Sequence, residues 1–360
     1  MQWKSELIIG KKVISIKNPS YFIADVASNH DGDIERARDL IFLAKESGAD
    51  AVKFQHFKAE KIVSDFGFKS LGGKLSHQSS WGKSVFEVYK QYECQLEWTD
   101  TLISAAEKCG IDFLTTPYDL ETLDLLQLKL PAFKIGSGDI TWINFIESIA
   151  KIMKPTLLAT GASTLEDVKR AIDAIIKINP LIVLMQCNTN YTGSLENFKY
   201  INLNVIKTYQ NLYPEMILGL SDHSPGNTTV LGAITLGARV IEKHFTDECS
   251  RKGPDHGFSM NPKTWSEMVS RARELEYALG NGEKKIEDNE KESAIIQQRC
   301  LRSSKTLKKG TTISKEDVVE LRPAPEGSLK PYQINNILDK VLITDIEAGE
   351  AFNPSNFDPS

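Results

Sequence analysis

Two histidines 21 residues apart, each closing a short apolar run, are the side chains of this sequence best suited to metal chemistry: His223 in GLSDHSPG (219–226) and His244 in GARVIEKHFT (237–246). Imidazole is the commonest protein metal ligand at neutral pH, and the separation fits a strand, loop, helix and next strand that returns its end to the same face. The pair reads as one metal site, the alternative being two hydrogen-bonded loop histidines. Lys53 in AVKFQ and Lys134 in FKIGSGD stand at comparable strand ends, where a buried ammonium requires a negative partner. Beside them, IGSGD (135–139) and ATGAS (159–163) carry Gly, Ser and Thr that let backbone amides approach an anion closely. Two converging ammonium groups and two such turns make a phosphate or carboxylate pocket, although either glycine motif alone is more often a tight turn between strand and helix.

The elements that must position these groups alternate along the chain. Eight apolar runs read as strands: 21–27, 51–55, 112–116, 132–136, 156–160, 181–186, 216–220 and 238–244. Helix candidates lie between them at 33–47, 99–109, 119–128, 164–178, 227–236 and 263–279. Eight βα units in this length favour a TIM (β/α)8 barrel over a doubly wound sheet. Asp25, Lys53, Gln55, Thr115, Thr116, Lys134, Thr160, Gln186, Ser221 and His244 all fall at or just past the carboxyl ends of these runs, where barrel enzymes carry their chemistry. The segment 57–97 is too long for an ordinary βα loop and reads as a lid or a structural elaboration.

After Gly280 the composition turns charged in NGEKKIEDNEKES (281–293), as in an exposed linker. Short β-prone runs divided by Gly and Pro follow, giving a barrel over 1–284, a linker over 285–298 and a small β-rich domain over 299–360. The 360 residues are 41% hydrophobic and 25% charged, with a net charge of −5 and no basic block, which argues against nucleic acid as a partner. No secretory h-region or long apolar run is present, so a cytoplasmic protein without membrane contact is expected. Five cysteines with no CxxC pair suggest reduced thiols.

Together, ADVASNHDG (24–32), AVKFQ (51–55), TTPYD (115–119), KIGSGD (134–139), ATGAS (159–163), GLSDHSPG, GARVIEKHFT and KGPDHGFSM (252–260) resemble the sialic acid synthases, which include legionaminic and pseudaminic acid synthases. RCLRSSKTLKKGTTI (299–313) is similar to the start of that family's antifreeze-like (SAF) domain, a β-clip. The resemblance implies condensation of phosphoenolpyruvate with an N-acetylmannosamine-type aldose, giving a nine-carbon 2-keto sugar acid and phosphate. It implies that His223 and His244 hold a divalent metal, Mn2+ foremost with Mg2+ or Co2+ as alternatives. Lys53, Thr116, Lys134, Ser137, Thr160 and Thr189 would hold phosphoenolpyruvate, with Asp25, Lys53 and Lys134 catalytic. Gln55, Tyr191, Asp255 and Arg302 would face the sugar, the arginine reaching in from the second subunit of a domain-swapped homodimer.

The chain departs from the family pattern in three places. Asp25 stands where the family has glutamate, a reach shorter by about 1.5 Å. LMQCNTNYTGS (184–194) places Gln186 and Thr192 where the family has histidine and proline, which points toward a modified mannosamine such as the diacetamido sugar of legionaminic acid. Ala159 replaces a serine beside the phosphate, a loss of about 1 kcal/mol. His30 and His256 read as pocket or loop residues, His56 and His77 are given no role, and Trp81, Trp98, Trp142 and Trp265 read as packing. Two rivals remain: an octulosonate or heptulosonate synthase acting on a phosphorylated aldose, which would need further basic residues, and a non-catalytic carbohydrate-binding relative, which would need neither metal nor phosphate pocket.

Overall fold

The computed structural model describes residues 2–71, 78 and 81–358. Most of the LGGKLSHQSS stretch of the 57–97 excursion, with His77, lies outside the described residues. The chain divides into two units, Met1–Gly280 and Asn281–Ser360.

In the first unit a short antiparallel hairpin, β1 (Glu6–Ile9) and β2 (Lys12–Ser15), precedes the barrel. Eight parallel strands then close in the order β10-β3-β4-β5-β6-β7-β8-β9. They are β3 (Tyr21–Asp25), β4 (Ala51–His56), β5 (Asp112–Pro117), β6 (Phe133–Ile135), β7 (Thr156–Ala159), β8 (Ile182–Cys187), β9 (Ile217–Asp222) and β10 (Ala238–His244). Each expected strand is present within two residues of its reading, and the closed sheet is the TIM-like barrel.

Helices cover the outside: α1 (Ile34–Glu46), α2 (Ala59–Ile62), α3 (Asp65–Ser70), α4 (Val85–Gln91), α5 (Thr99–Cys109), α6 (Leu120–Leu126), α7 (Ile143–Lys151), α8 (Leu165–Ile176), α9 (Val205–Leu212), α10 (Thr228–Thr235) and α11 (Pro262–Leu279). Local chemistry sets several starts: Asp33 accepts from the Glu35 and Arg36 amides, and Thr164 with Asp167 forms a reciprocal cap on α8. The sequence reading did not name α7 and α9, which begin after Trp142 and Asn204 without a side-chain cap. Within the 57–97 excursion, α2, α3 and α4 are short helices, and Ser84 with Glu87 caps α4.

Strand parity decides what reaches the barrel interior, because alternate residues face opposite sides. Outward residues such as Phe22, Val52, Phe54, Leu184 and Ile241 join the helices in the main core. Inward residues at the amino ends, Tyr21, Ile23, Ala51, Leu114, Leu157, Val183, Ile217 and Val240, pack with Leu7, Ile9 and Ile14 of the hairpin. The hairpin thereby plugs that end. Continuing the same parity turns Asp25, Lys53, Lys134, Ser221, Glu242 and His244 inward at the opposite end.

In the second unit, α12 (Lys291–Gln297) occupies the stretch read as a linker, and the Ala324 amide donates to Ile295. Strands β11 (Cys300–Ser303) and β12 (Val318–Leu321) pair antiparallel. Leu301, Leu307, Ile313, Ile337, Leu342, Ile346, Phe352 and Phe357 form a separate apolar core, consistent with a small β-rich domain.

Candidate active site

At the carboxyl end of the barrel the strand register sets Asp25 opposite both Lys53 and His244, and Glu242 opposite Ser221. Lys53 donates to Asp25 Oδ2 at 2.7 Å and lies 3.3 Å from Thr116 Oγ1. Gln55 Nε2 donates to the same carboxylate oxygen at 3.0 Å, and the Ala27 amide to the other at 3.1 Å. Lys134 pairs with Glu242 at 2.5 Å, and Ser221 donates to Glu242 at 3.1 Å. Glu242 also lies 4.0 Å from Lys53, so two ammonium groups and two carboxylates alternate on the pocket floor. All four are nearly inaccessible, from 2 to 5% exposed. Burial works against the charge on Lys53, but Asp25 and Glu242 outweigh it and raise its pKa. Burial likewise opposes ionisation of Asp25, and Lys53 and His244 more than offset it, leaving its pKa below the ordinary value.

The two histidines come together with ring centroids 5.3 Å apart. His223 follows β9 directly and its Nδ1 donates to the Asn188 carbonyl at 2.9 Å, which orients the ring and leaves Nε2 for other partners. The turn that carries it is held from below: Asp222 accepts from Lys243, Ser224 and Thr229. Burial lowers the pKa of His244 to about 3, so this imidazole is neutral. Its Nδ1 is buried with no hydrogen-bond partner among the described residues, and its Nε2 lies 3.7 Å from Asp25. Burial opposes protonation of His223, yet its bond with the Cys187 thiol raises its pKa and lowers that of the thiol. An orphaned imidazole nitrogen beside a second oriented imidazole fits a divalent metal bound by two protein ligands with other positions open. Among the described residues no group of three or more His, Cys, Asp or Glu side chains converges in that way.

These groups line a cavity of about 350 Å3 together with Gln55, Thr116, Ser137, Ala159 and Tyr191. Ser137 Oγ accepts from the Gly161 amide at 2.9 Å. Gly161 has no room for a side chain: a Cβ there would lie 2.5 Å from Thr189 Cγ2 and 2.9 Å from Ser137 Oγ. The two glycine motifs and Thr189 are therefore in direct contact. Thr160 is a correction. Its hydroxyl is turned away, donating to the Met185 carbonyl and accepting from Tyr209, and it lines a different cavity beside α8 and α9. Gln186 and Asn188 lie on that cavity too, bonded to Ile201 and Tyr200 carbonyls.

A second cavity of about 130 Å3 adjoins the first, sharing Gln55, Tyr89, Tyr118, Tyr191 and His244. Asp255 lines it, accepting from the Ser28 amide at 3.0 Å; burial, the largest cause, raises its pKa. Phe57, Trp81, Val88, Tyr92 and Pro254 complete the walls. Trp81, read from sequence as packing, is thus a pocket residue, and the 57–97 excursion contributes an aromatic wall through α4. Arg302 belongs to the second unit, where its terminal nitrogens donate to the Gly349 and Pro323 carbonyls. Glu242, Tyr118, Cys187 and Asp139 were missed, and Ser221 was read only as a polar residue at a strand end. Asp139 lines the larger cavity, and burial pushes its pKa up to about 6. Parity was the available signal for Glu242 and Ser221, which stand two residues before His244 and His223.

A closed barrel that gathers ammonium, carboxylate and imidazole groups at its strand ends is the architecture of an enzyme acting on an anion. Comparison with known proteins makes the class specific. The model of the NeuB family matches residues 40–284, and that of the SAF domain matches residues 298–358. The chain belongs to the NeuB family. It is 36% identical to the N,N'-diacetyllegionaminic acid synthase of Legionella pneumophila over 91% of this chain and 92% of that one. It is 32% identical to the pseudaminic acid synthase of Campylobacter jejuni, covering 94% and 96% respectively. A solved N-acetylneuraminic acid synthetase from Leptospira borgpetersenii, in complex with citrate, superposes with a TM-score of 0.70 at 27% identity, over 81% of this chain and 96% of that chain. The protein is accordingly an enzyme of the sugar acid synthase type.

Proposed function

We propose that the enzyme condenses phosphoenolpyruvate with an unphosphorylated, N-acetylated mannosamine-type aldose, releasing phosphate and a nine-carbon 2-keto sugar acid. The observation that carries this reading is the pair of adjoining cavities: one floored by Lys53 and Lys134, the other walled by aromatic rings, with His244 in both. Lys53 and Lys134 are placed to neutralise the carboxylate and phosphate of phosphoenolpyruvate, with Thr116, Ser137 and Thr189 at the same end. A divalent metal on His223 and His244, Mn2+ by preference, would supply Lewis acidity toward the open-chain aldehyde. The rest is positioning and proton handling by the chain. Carbon 3 of phosphoenolpyruvate bonds to the aldehyde carbon, water adds to carbon 2, and phosphate departs with cleavage of its C–O bond. Asp25, whose pKa the Lys53 ammonium holds below the ordinary value, is suited to take a proton rather than give one.

The acceptor is best read as the diacetamido, legionaminic-type sugar. Among the described residues the acceptor cavity is lined mainly by aromatic and apolar side chains with Ser28, Gln55, His244 and the Asp255 carboxylate, a mixed wall that suits acetyl groups, while Lys83 and Lys252 line only the adjoining outer cavity. The relatives named as N,N'-diacetyllegionaminic acid synthases, at 36% identity, support the same choice. Arg302 would complete the sugar site from the partner in a swapped homodimer.

The test is turnover by chelator-stripped protein given phosphoenolpyruvate, Mn2+ and a panel of N-acetylated and phosphorylated aldoses, with phosphate release and product mass recorded. Turnover of the diacetamido sugar, lost in His223→Ala and His244→Ala variants that remain folded, is the expected result. Failure with every unphosphorylated mannosamine derivative would overturn the reading.

A further inference from the structure

Two loops build the far wall of the acceptor cavity: Ser28 comes from the turn after β3, and Pro254 and Asp255 from the segment after β10. Neither loop carries regular structure where it meets the cavity, yet the two are locked together. His256 stands at the lock. It is wholly buried, with Nδ1 2.7 Å from the Thr246 hydroxyl and Nε2 3.0 Å from Asp31 Oδ1, so both ring nitrogens are engaged. Asp31 is a non-glycine residue at φ 53, a conformation that surrounding contacts must hold in place. Arg36 Nε lies 3.1 Å from Asp31 and also donates to the Asn29 carbonyl, while its two terminal nitrogens bond Asp247 at 2.7 and 2.6 Å. Gly253 packs flat on the imidazole: a Cβ there would lie 2.6 Å from His256 Cδ2. On the cavity side of this lock, the Ser28 amide bonds Asp255 directly, and Ser259 holds the Asp255 carbonyl. The ring of His256 lines neither substrate cavity.

We propose that His256 is a positioning residue for acceptor recognition: by bridging Asp31 and Thr246 it fixes Asp255 against Ser28, so that the acceptor wall is formed before the sugar arrives. A fully satisfied buried polar group rigidifies what it joins, and a preformed wall lowers the ordering cost of binding. The inference rests on the proposed acceptor role of this cavity. The two ammonium groups of the phosphoenolpyruvate floor, Lys53 and Lys134, stand on β4 and β6, strands whose following loops the lock does not join.

The experiment uses the full-length protein with phosphoenolpyruvate and the unphosphorylated acceptor it turns over best. In His256→Ala the acceptor KM should rise about tenfold while the phosphoenolpyruvate KM stays within about twofold and kcat within about fivefold. His256→Gln, which returns a donor to Asp31, should recover most of the loss. Should His256→Ala fail to fold, Gly253→Ala displaces the ring by its Cβ and should give the same split. Hydrogen exchange without substrate provides a readout free of turnover: amides of 246–259 should exchange faster in the variants, with β6 to β8 unchanged. Equal changes in both KM values, or exchange accelerated throughout the barrel, would reduce His256 to a general stability role and overturn the proposal. If the wild-type enzyme turns over no acceptor, the functional reading fails, and exchange alone decides whether the lock exists.

Discussion

At the residue scale the substitution at position 25 is the sharpest question. Asp25 Oδ2 already receives Lys53 at 2.7 Å and Gln55 at 3.0 Å, so the pocket is built around the shorter carboxylate. A longer carboxylate should therefore harm this enzyme: an added methylene of about 1.5 Å displaces Lys53, and Asp25→Glu should lower kcat on the order of tenfold. Steady-state kinetics with saturating phosphoenolpyruvate measures it; a gain in kcat would show that the pocket has not adapted. The residues legible in the sequence were those whose charge is anomalous at a strand end, namely Lys53, Lys134 and the histidine pair. Glu242 was less legible because it precedes His244 by two positions and reads as one of several charged residues in IEKH. Thr160 looked equivalent to its neighbours in ATGAS, yet a backbone carbonyl and Tyr209 capture its hydroxyl on the other side of the sheet.

At the element scale, strand positions were readable to within two residues because inward and outward faces are both apolar through most of their length, giving continuous runs. Loop structure was not readable, since it depends on partners distant in sequence. The Arg36–Asp247 pair joins α1 to the loop after β10 across 211 positions. Its hydrogen bonds to Arg36, the largest cause, hold Asp247 at a pKa of about 2, below the usual carboxylate range. A depressed carboxylate contributes stability that is complete above its unfolded pKa and fades as pH falls through the folded one. Arg36→Met should accordingly lose stability relative to wild type near neutral pH, with the gap narrowing as pH drops from about 4 toward about 2. Urea midpoints across that range check it; a gap independent of pH would deny the pair its role.

At the scale of the whole molecule, the chain is two units with separate apolar cores. The second was visible as a change of composition, and the short helix α12 was not, because it is built from the same charged residues as a linker. The proposed sharing of active sites between chains predicts complementation. Arg302→Ala should raise the sugar KM, and mixing it with Lys53→Ala should restore activity beyond either parent once subunits exchange. Absence of recovery despite demonstrated exchange would place each site within one chain.

The hairpin of β1 and β2 has a further consequence for traffic. Because Leu7, Ile9 and Ile14 stopper one end of the barrel, reactants come in by the doorway at the opposite end. The berth over Lys53 and Lys134 and the aromatic chamber adjoin there, sharing Gln55, Tyr118, Tyr191 and His244. The expected order is phosphoenolpyruvate first and the acceptor second, since an acceptor seated in the chamber borders the berth. An acceptor analogue with its aldehyde reduced to an alcohol should therefore inhibit uncompetitively against phosphoenolpyruvate, and competitive inhibition would mean that the doorway serves both reactants independently.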